Sequence, residues 1–305
     1  MNIIETEKLT RHFRANEAVH ELTLAVPTGT VFALLGPNGA GKTTTLKMLV
    51  NLLLPTSGTA CVLGVDSRRL GEGELAQLGY VSEGQKQPDW MTVRQLLDYC
   101  RPFYPTWDRA LEERLLAQFD LPSDRQLKQL SRGMLMKARL LSSLAYRPRL
   151  LVLDEPFSGL DPVVRDDLTA GLLEVVQQGE TTVVVSSHDI EEVERLADHI
   201  ALLEAGRLRF TETTEALLGR FRRIEVELNG PVAGATVGMP GTWLGWRCEA
   251  GRASFVESGY RREATEQACR ERFPSAAVQA HPMTLREIFI TLARNGRNQT
   301  QGALT

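Results

Sequence analysis

The sequence predicts an α/β chain: a parallel sheet covered by helices on both faces, antiparallel strands ahead of it, a helical insert within it and a small α+β domain after it. Three observations carry this. An apolar run ends in a glycine-rich loop that opens a helix; short apolar runs then alternate with segments of helical spacing; and past about Leu218 the texture shifts toward recurring glycine and proline.

In order along the chain, IIETEKLTRHF and AVHELTLAV read as antiparallel strands closed by the turn Pro27, Thr28, Gly29. Thr30 to Leu35 reads as a buried strand, and Thr43 to Leu54 as a helix stopped by Pro55. From Leu96 to Leu121 helix formers dominate around Pro102 and Pro105, and Leu130 to Tyr146 continues as a helix, so residues 85–146 form the helical insert. Leu150 to Leu153 is wholly apolar and bounded by charge, the pattern of a strand buried on both faces. Asp166 to Gln178 reads as a helix, Thr181 to Ser186 as a strand, Ile190 to Ala197 as a helix and Ile200 to Glu204 as a strand. In the second domain, residues 219–305, strands are expected at Arg223 to Leu228 and Ala253 to Glu257. Helices are expected at Arg262 to Phe273 and Thr284 to Ala293, before a frayed polar tail from Asn295. Arg220, Arg222 and Arg223 read as a solvated basic group.

The chain has 305 residues, which suggests about two domains. Its 35 basic and 38 acidic side chains leave a formal charge of −3, so no bulk positive field draws it to nucleic acid or to a membrane. The four cysteines lie far apart, without zinc spacing. No basic, apolar leader opens the sequence, and no apolar run approaches the roughly 20 residues that span a bilayer. The expectation is a reduced, cytosolic chain.

Gly36, Pro37, Asn38, Gly39, Ala40, Gly41, Lys42, Thr43 fits GxxxxGK[ST] between a buried strand and a helix. Backbone N–H groups and the helix start would cradle phosphates, Lys42 would supply charge to the outer ones, and the Thr43 hydroxyl would meet Mg²⁺. Thr44 completes the expected binding set. Asp154 and Glu155 follow the apolar run at Leu150 to Leu153. Charge at a buried strand end is costly, so Asp154 is expected to hold Mg²⁺ and Glu155 to act as general base on water.

Together with these motifs, Leu130, Ser131, Arg132, Gly133, Met134 resembles the LSGGQ signature of ABC (ATP-binding cassette) transporters. Ser158, Gly159, Leu160, Asp161 resembles that family's D-loop, and His188 its switch histidine. The resemblance covers residues 1–218 and implies a P-loop NTPase core that binds ATP and Mg²⁺. It also implies a homodimer sandwiching two ATP molecules, with Ser131 and Gly133 offered to the opposite nucleotide, Asp161 in the nucleotide-binding set, and Lys42, Glu155 and His188 catalytic. Phe13 stands where an aromatic stacks on adenine, the alternative being a core phenylalanine of a small antiparallel sheet. LSRGM departs from LSGGQ yet keeps the donors Ser131 and Gly133, so activity is expected to persist, the alternative being a weakened site. Glu83 stands where glutamine is usual and becomes a third metal contact, unless Gln85 takes that place.

Glu83 and the LSRGM signature are similar to cassettes of ABC-2-type exporters. That likeness implies separate membrane permease subunits, peripheral attachment at the cytoplasmic face of the membrane, and no nucleic-acid partner. Trp90 and Met91 are then expected to be exposed for the permease. The rival is a soluble non-transport ATPase of the same family acting on nucleic acid or ribosomes. Such chains usually carry paired cassettes with a charged linker or a long coiled coil, and neither is evident.

Overall fold

The computed structural model describes residues 1–14, 16–177, 181–228, 239–249, 251–273 and 277–302. Expectations for Gln178 and for the glycine- and proline-containing stretch at 229–238 lie outside the described residues. The chain divides into two compact units, Met1–Glu212 and Thr213–Thr305.

In the first unit, β1 (Asn2–Phe13) and β2 (Asn16–Pro27) form an antiparallel pair; burial alternates at Leu22, Leu24 and Val26 of β2, whereas β1 buries the adjacent pairs Ile3/Ile4 and Leu9/Thr10 where the register shifts. β3 (Val31–Leu35) is buried at every position and leads through the glycine-rich loop into α1 (Lys42–Leu49). This helix stops five residues short of the expected Leu54. Asn51 adopts a positive φ of 58°, and the N–H groups of Leu52 and Leu53 both turn back to the Lys47 carbonyl, closing the helix before Pro55 is reached.

β4 (Ser57–Val62) and β5 (Val65–Asp66) extend the first sheet in the order β2-β1-β4-β5. The strands β4 and β5 are not legible as strands because serine, glycine and threonine break the apolar alternation. α2 (Glu72–Leu75) and β6 (Leu78–Ser82) follow. The insert contains α3 (Val93–Cys100), α4 (Arg109–Gln118) and α5 (Arg132–Leu144). Within it the buried carboxylate of Glu112 accepts from Trp107 Nε1 at 2.7 Å and from Arg101 Nη2 at 3.0 Å.

β7 (Leu150–Asp154), α6 (Pro162–Gln177), β8 (Thr182–Ser187), β9 (His199–Glu204) and β10 (Arg207–Thr213) complete this unit's main sheet, ordered β10-β9-β3-β8-β7-β6. β6, β7, β8, β3 and β9 pair in parallel. Residues 190–197, expected as a helix, are wound turns. Their N–H groups alternate between bonds three and four residues back, and buried Glu192 is drawn inward to Ser187 Oγ at 2.5 Å.

The second unit carries α7 (Thr214–Arg220), β11 (Arg222–Glu227), β12 (Trp243–Glu249), β13 (Arg252–Glu257), α8 (Arg262–Arg272), β14 (Ala277–Pro282) and α9 (Leu285–Gly302). Among the described residues its sheet is ordered β12-β13-β11-β14. Trp243 stacks on Phe255 at 4.0 Å between ring centres, and Trp246 lies 5.5 Å from Phe273. The helix α9 runs on through Gly302 where a frayed tail was expected. The arginines are structural ties: Arg220 donates to the Ser258 carbonyl, Arg222 to that of Leu218, and Arg223 pairs with Glu287.

Candidate functional site

The carboxyl ends of the adjacent parallel strands β3, β7 and β8 bring the chemistry together. Pairing places Leu35 beside Ser187 and Asp154 beside Ser186, so the loop after β3, the carboxylates after β7 and the serine at the end of β8 share one rim.

Gly41 has φ 100°, and a Cβ there would run into the Ala18 carbonyl oxygen, so the loop closes on β2 only with glycine. Directly after it α1 begins, its first bond running from Thr45 N to Gly41 O at 2.8 Å. A cavity of about 610 Å³ lies over this loop, lined by Asn38, Gly39, Ala40, Gly41, Lys42, Thr43 and Thr44, with Glu155 on one side and Phe13 on another. Phe13 is 43% exposed, which places it at the cavity and not in a core.

Lys42 is buried and folds back, its Nζ donating to the Gly36 carbonyl at 2.7 Å and lying 3.0 Å from Glu155 Oε1. Thr43 Oγ1 donates to Asp154 Oδ1 at 2.9 Å. Ser186 Oγ donates to the same oxygen at 2.8 Å and accepts from Glu155 N at 2.9 Å. On the other side of Glu155, His188 Nδ1 lies 2.8 Å from Oε2. Glu155 itself has φ 52°, a left-handed conformation that costs on the order of 1–3 kcal/mol and re-aims the side chain from strand β7 toward the loop.

Ser186 was missed by sequence reading. Its signal was available: pairing a strand at Thr182 to Ser187 in parallel with β7 sets it opposite Asp154.

Ser131, Gly133 and Asp161 do not line this cavity. They gather where α5 meets α6. Ser131 caps α5, its Oγ accepting from Met134 N at 3.2 Å, while Asp161 Oδ1 accepts from Val164 N at 3.0 Å. Gly133 is buried against Val164, and a Cβ on it would lie 2.9 Å from Val164 Cγ1.

Glu83 follows Ser82, which pairs with Asp154 across β6 and β7, but its carboxylate accepts from Arg132 Nη2 at 2.7 Å. Gln85 has its side-chain oxygen turned inside the protein. Arg139, which sequence reading passed over, is buried under this loop and donates to the carbonyls of Ser82, Glu83 and Gln85. Trp90 and Met91 part company: Trp90 is 58% exposed, whereas Met91 is buried, its carbonyl accepting from Leu127 N at 2.8 Å.

The residues present fit a nucleotide and a hard cation. The loop offers backbone donors and a buried lysine now balanced by a carboxylate. Thr43 and Asp154 offer two oxygen donors side by side, few enough for an ion that takes its remaining ligands from phosphate and water.

A model of the family described as ABC transporter matches residues 19–158. The chain is 33% identical over 244 residues to an uncharacterized ABC transporter ATP-binding protein of Synechocystis, covering 75% of this chain and 68% of that one. The chain belongs to the ABC transporter ATP-binding family. Other members include the ATP-binding protein YtrB of Bacillus subtilis, 29% identical with 75% of this chain and 78% of that one covered. The daunorubicin/doxorubicin resistance ATP-binding protein DrrA of Streptomyces peucetius is 36% identical, with 70% of this chain and 66% of that one covered. Among solved structures, an ATP-binding subunit of an ABC transporter is 28% identical and superposes with a TM-score of 0.64 over 70% of this chain and 91% of that one. A nucleotide-free cassette, 22% identical at a TM-score of 0.60 over 70% of this chain and 92% of that one, shares the fold. Binding and hydrolysing ATP is the activity of this family. Among the described residues no helix of this cassette is long and apolar enough to cross a membrane.

Proposed function

We propose that this cassette is the ATP-hydrolysing subunit of an ABC-2-type exporter, peripheral at the cytoplasmic face of the membrane. Two copies close on two ATP molecules and so drive separate permease subunits. The observation that carries the reading is the convergence of Lys42, Asp154, Glu155, Ser186 and His188 on one rim beside a cavity large enough for a nucleotide. Relatives named for Nod factor export and for daunorubicin/doxorubicin resistance support the direction of transport.

In this reading the phosphates lie on the N–H groups of Asn38, Gly39, Gly41, Thr43 and Thr44, and Phe13 stacks on the adenine; the Gly36 carbonyl instead accepts from Lys42, and the Ala40 N–H is taken by the Pro37 carbonyl within the loop. Lys42 leaves Glu155 for the outer phosphates. Glu155 then accepts a proton from the attacking water, held in its aim by His188 and by the Ser186 bond to its backbone. Thr43 and Asp154 would hold Mg²⁺, with Glu83 a third donor once it lets go of Arg132; the ion supplies charge neutralisation of the transferred phosphoryl group. Ser131 Oγ and the Gly133 N–H serve the nucleotide of the opposite copy, and Asp161, which caps the start of α6, belongs to the nucleotide-binding set. Exposed Trp90 belongs to the permease contact, and residues 219–305 form an accessory domain.

The test is Mg²⁺-dependent ATP hydrolysis by the purified chain and its Glu155→Gln variant. Turnover in the variant is expected to fall by at least ~10²-fold with ATP still bound. Hydrolysis by Glu155→Gln at the parental rate would overturn the assignment.

A further inference from the structure

The signature segment carries a cation in its middle. Arg132 stands between Ser131 and Gly133, the two groups assigned to the opposite nucleotide, and its Nη2 donates to Glu83 Oε1 at 2.7 Å. The same guanidinium lies across Gly159: a Cβ on that glycine would sit 2.9 Å from Arg132 Cζ, and its φ of 65° disfavours a side chain in any case. Arg132 therefore joins three segments, the start of α5, the loop after β6 and the loop after β7.

The two arginines that reach the loop after β6 differ in kind. Arg139 is 8% exposed and grips backbone carbonyls, an attachment that cannot be traded without leaving buried polar groups unpaired. Arg132 and Glu83 are 49% and 47% exposed, and a pair in such surroundings is held only weakly against water. A triphosphate, with several negative charges and oxygens spaced for the guanidinium fork, is a far stronger partner for Arg132 than one solvated carboxylate.

We propose that Arg132 is delivered to the triphosphate held by the partner copy, and that Glu83 stores it until the copies close. This rests on the two-copy reading above. Partner exchange leaves every charge satisfied: Arg132 passes to phosphate, and Glu83 is freed toward the cation held by Thr43 and Asp154. The departure of LSRGM from LSGGQ and the glutamate at position 83 are then one device.

The experiment uses the full chain with Glu155→Gln, so that ATP is not consumed, at saturating Mg²⁺. It reads by light scattering the ATP concentration that half-converts single chains to pairs. Arg132→Ala is expected to raise that concentration about tenfold or more, and Arg132→Lys to recover part of the loss. Glu83→Gln is expected to cost several-fold less when Arg132 is present than in the Arg132→Ala background, because breaking the stored pair favours closure. Melting without ATP checks that each exposed-site variant folds.

An Arg132→Ala shift below twofold would overturn the proposal. So would a Glu83→Gln cost that is equal or larger with Arg132 present, since the pair would then persist in the closed form. If Glu155→Gln alone never pairs at any ATP concentration, it is the two-copy reading that fails.

Discussion

Lys42 Nζ lies 3.0 Å from Glu155 Oε1, so the cation of the phosphate loop and the candidate general base neutralise each other. Both are largely shielded, at 5% and 17% exposure, and neither keeps its partner once phosphate takes Lys42. In the proposed function, binding is thereby linked to freeing the base.

Lys42→Ala removes the group that phosphate draws away. In the parent, ATP at 100 times its Kd stabilises by about 2.7 kcal/mol, roughly 5–10 °C in Tm for a unit of this size. The variant is expected to show no ATP-dependent shift in scanning fluorimetry. It should also melt lower than the parent without ATP, because Glu155 is left half-enclosed without a cation, a loss of about 1–3 kcal/mol.

His188 touches Glu155 from the side opposite Lys42. His188→Ala is expected to lower kcat by ~10²-fold while leaving the ATP-dependent melting shift of the parent. Loss of that shift would move His188 from orienting the base to binding the nucleotide.

Gly133→Ala tests the packing of the signature helix. Alanine gains up to about 1 kcal/mol of helix propensity, but its Cβ meets Val164 at 2.9 Å, an overlap costing about 1–3 kcal/mol. Net destabilisation of about 1 kcal/mol is expected in urea unfolding, with Gly133→Ala/Val164→Ala closer to the parent than Gly133→Ala alone.

Asp108 sets a pH dependence. The Leu111 N–H at the start of α4, and then Arg147, hold its carboxyl below the usual range. A lowered folded pKa stabilises above the unfolded value of about 3.9 and loses that contribution as pH falls through the folded value. Asp108→Ala is expected to cost about 1 kcal/mol at pH 7, and the deficit against the parent should shrink as pH falls below about 4.

The elements most legible in the sequence were those whose burial is complete. β3 and β7 are five apolar or strand-end residues buried without interruption, and the glycine loop between strand and helix matches GxxxxGK[ST] without a gap. β4 and β12 were missed because Ser57, Gly58 and Thr59 in one, and Gly245 with Arg247 in the other, break the alternation; backbone pairing with neighbours makes them strands. The turns at 190–197 read as a helix because Val193, Leu196 and Ala197 have helical spacing, while the inward pull of Ser187 on Glu192 is a tertiary contact.

The site divides in the same way. Gly36 to Thr44, Asp154 and Glu155 announce themselves by local pattern. Ser186 and Arg139 do not, since each acts through a bond to another segment. The resting partner of Glu83 was equally hidden, because Arg132 lies far from it in sequence and meets it only through the packing of α5 against the loop after β6.

The central claim is that ATP is held between two copies of this chain. The most direct measurement is the mass in solution of Glu155→Gln with and without saturating ATP. The sandwich requires single chains without nucleotide and a doubled mass with it, reversed by adding Lys42→Ala. A mass of one chain at every ATP concentration would contradict it.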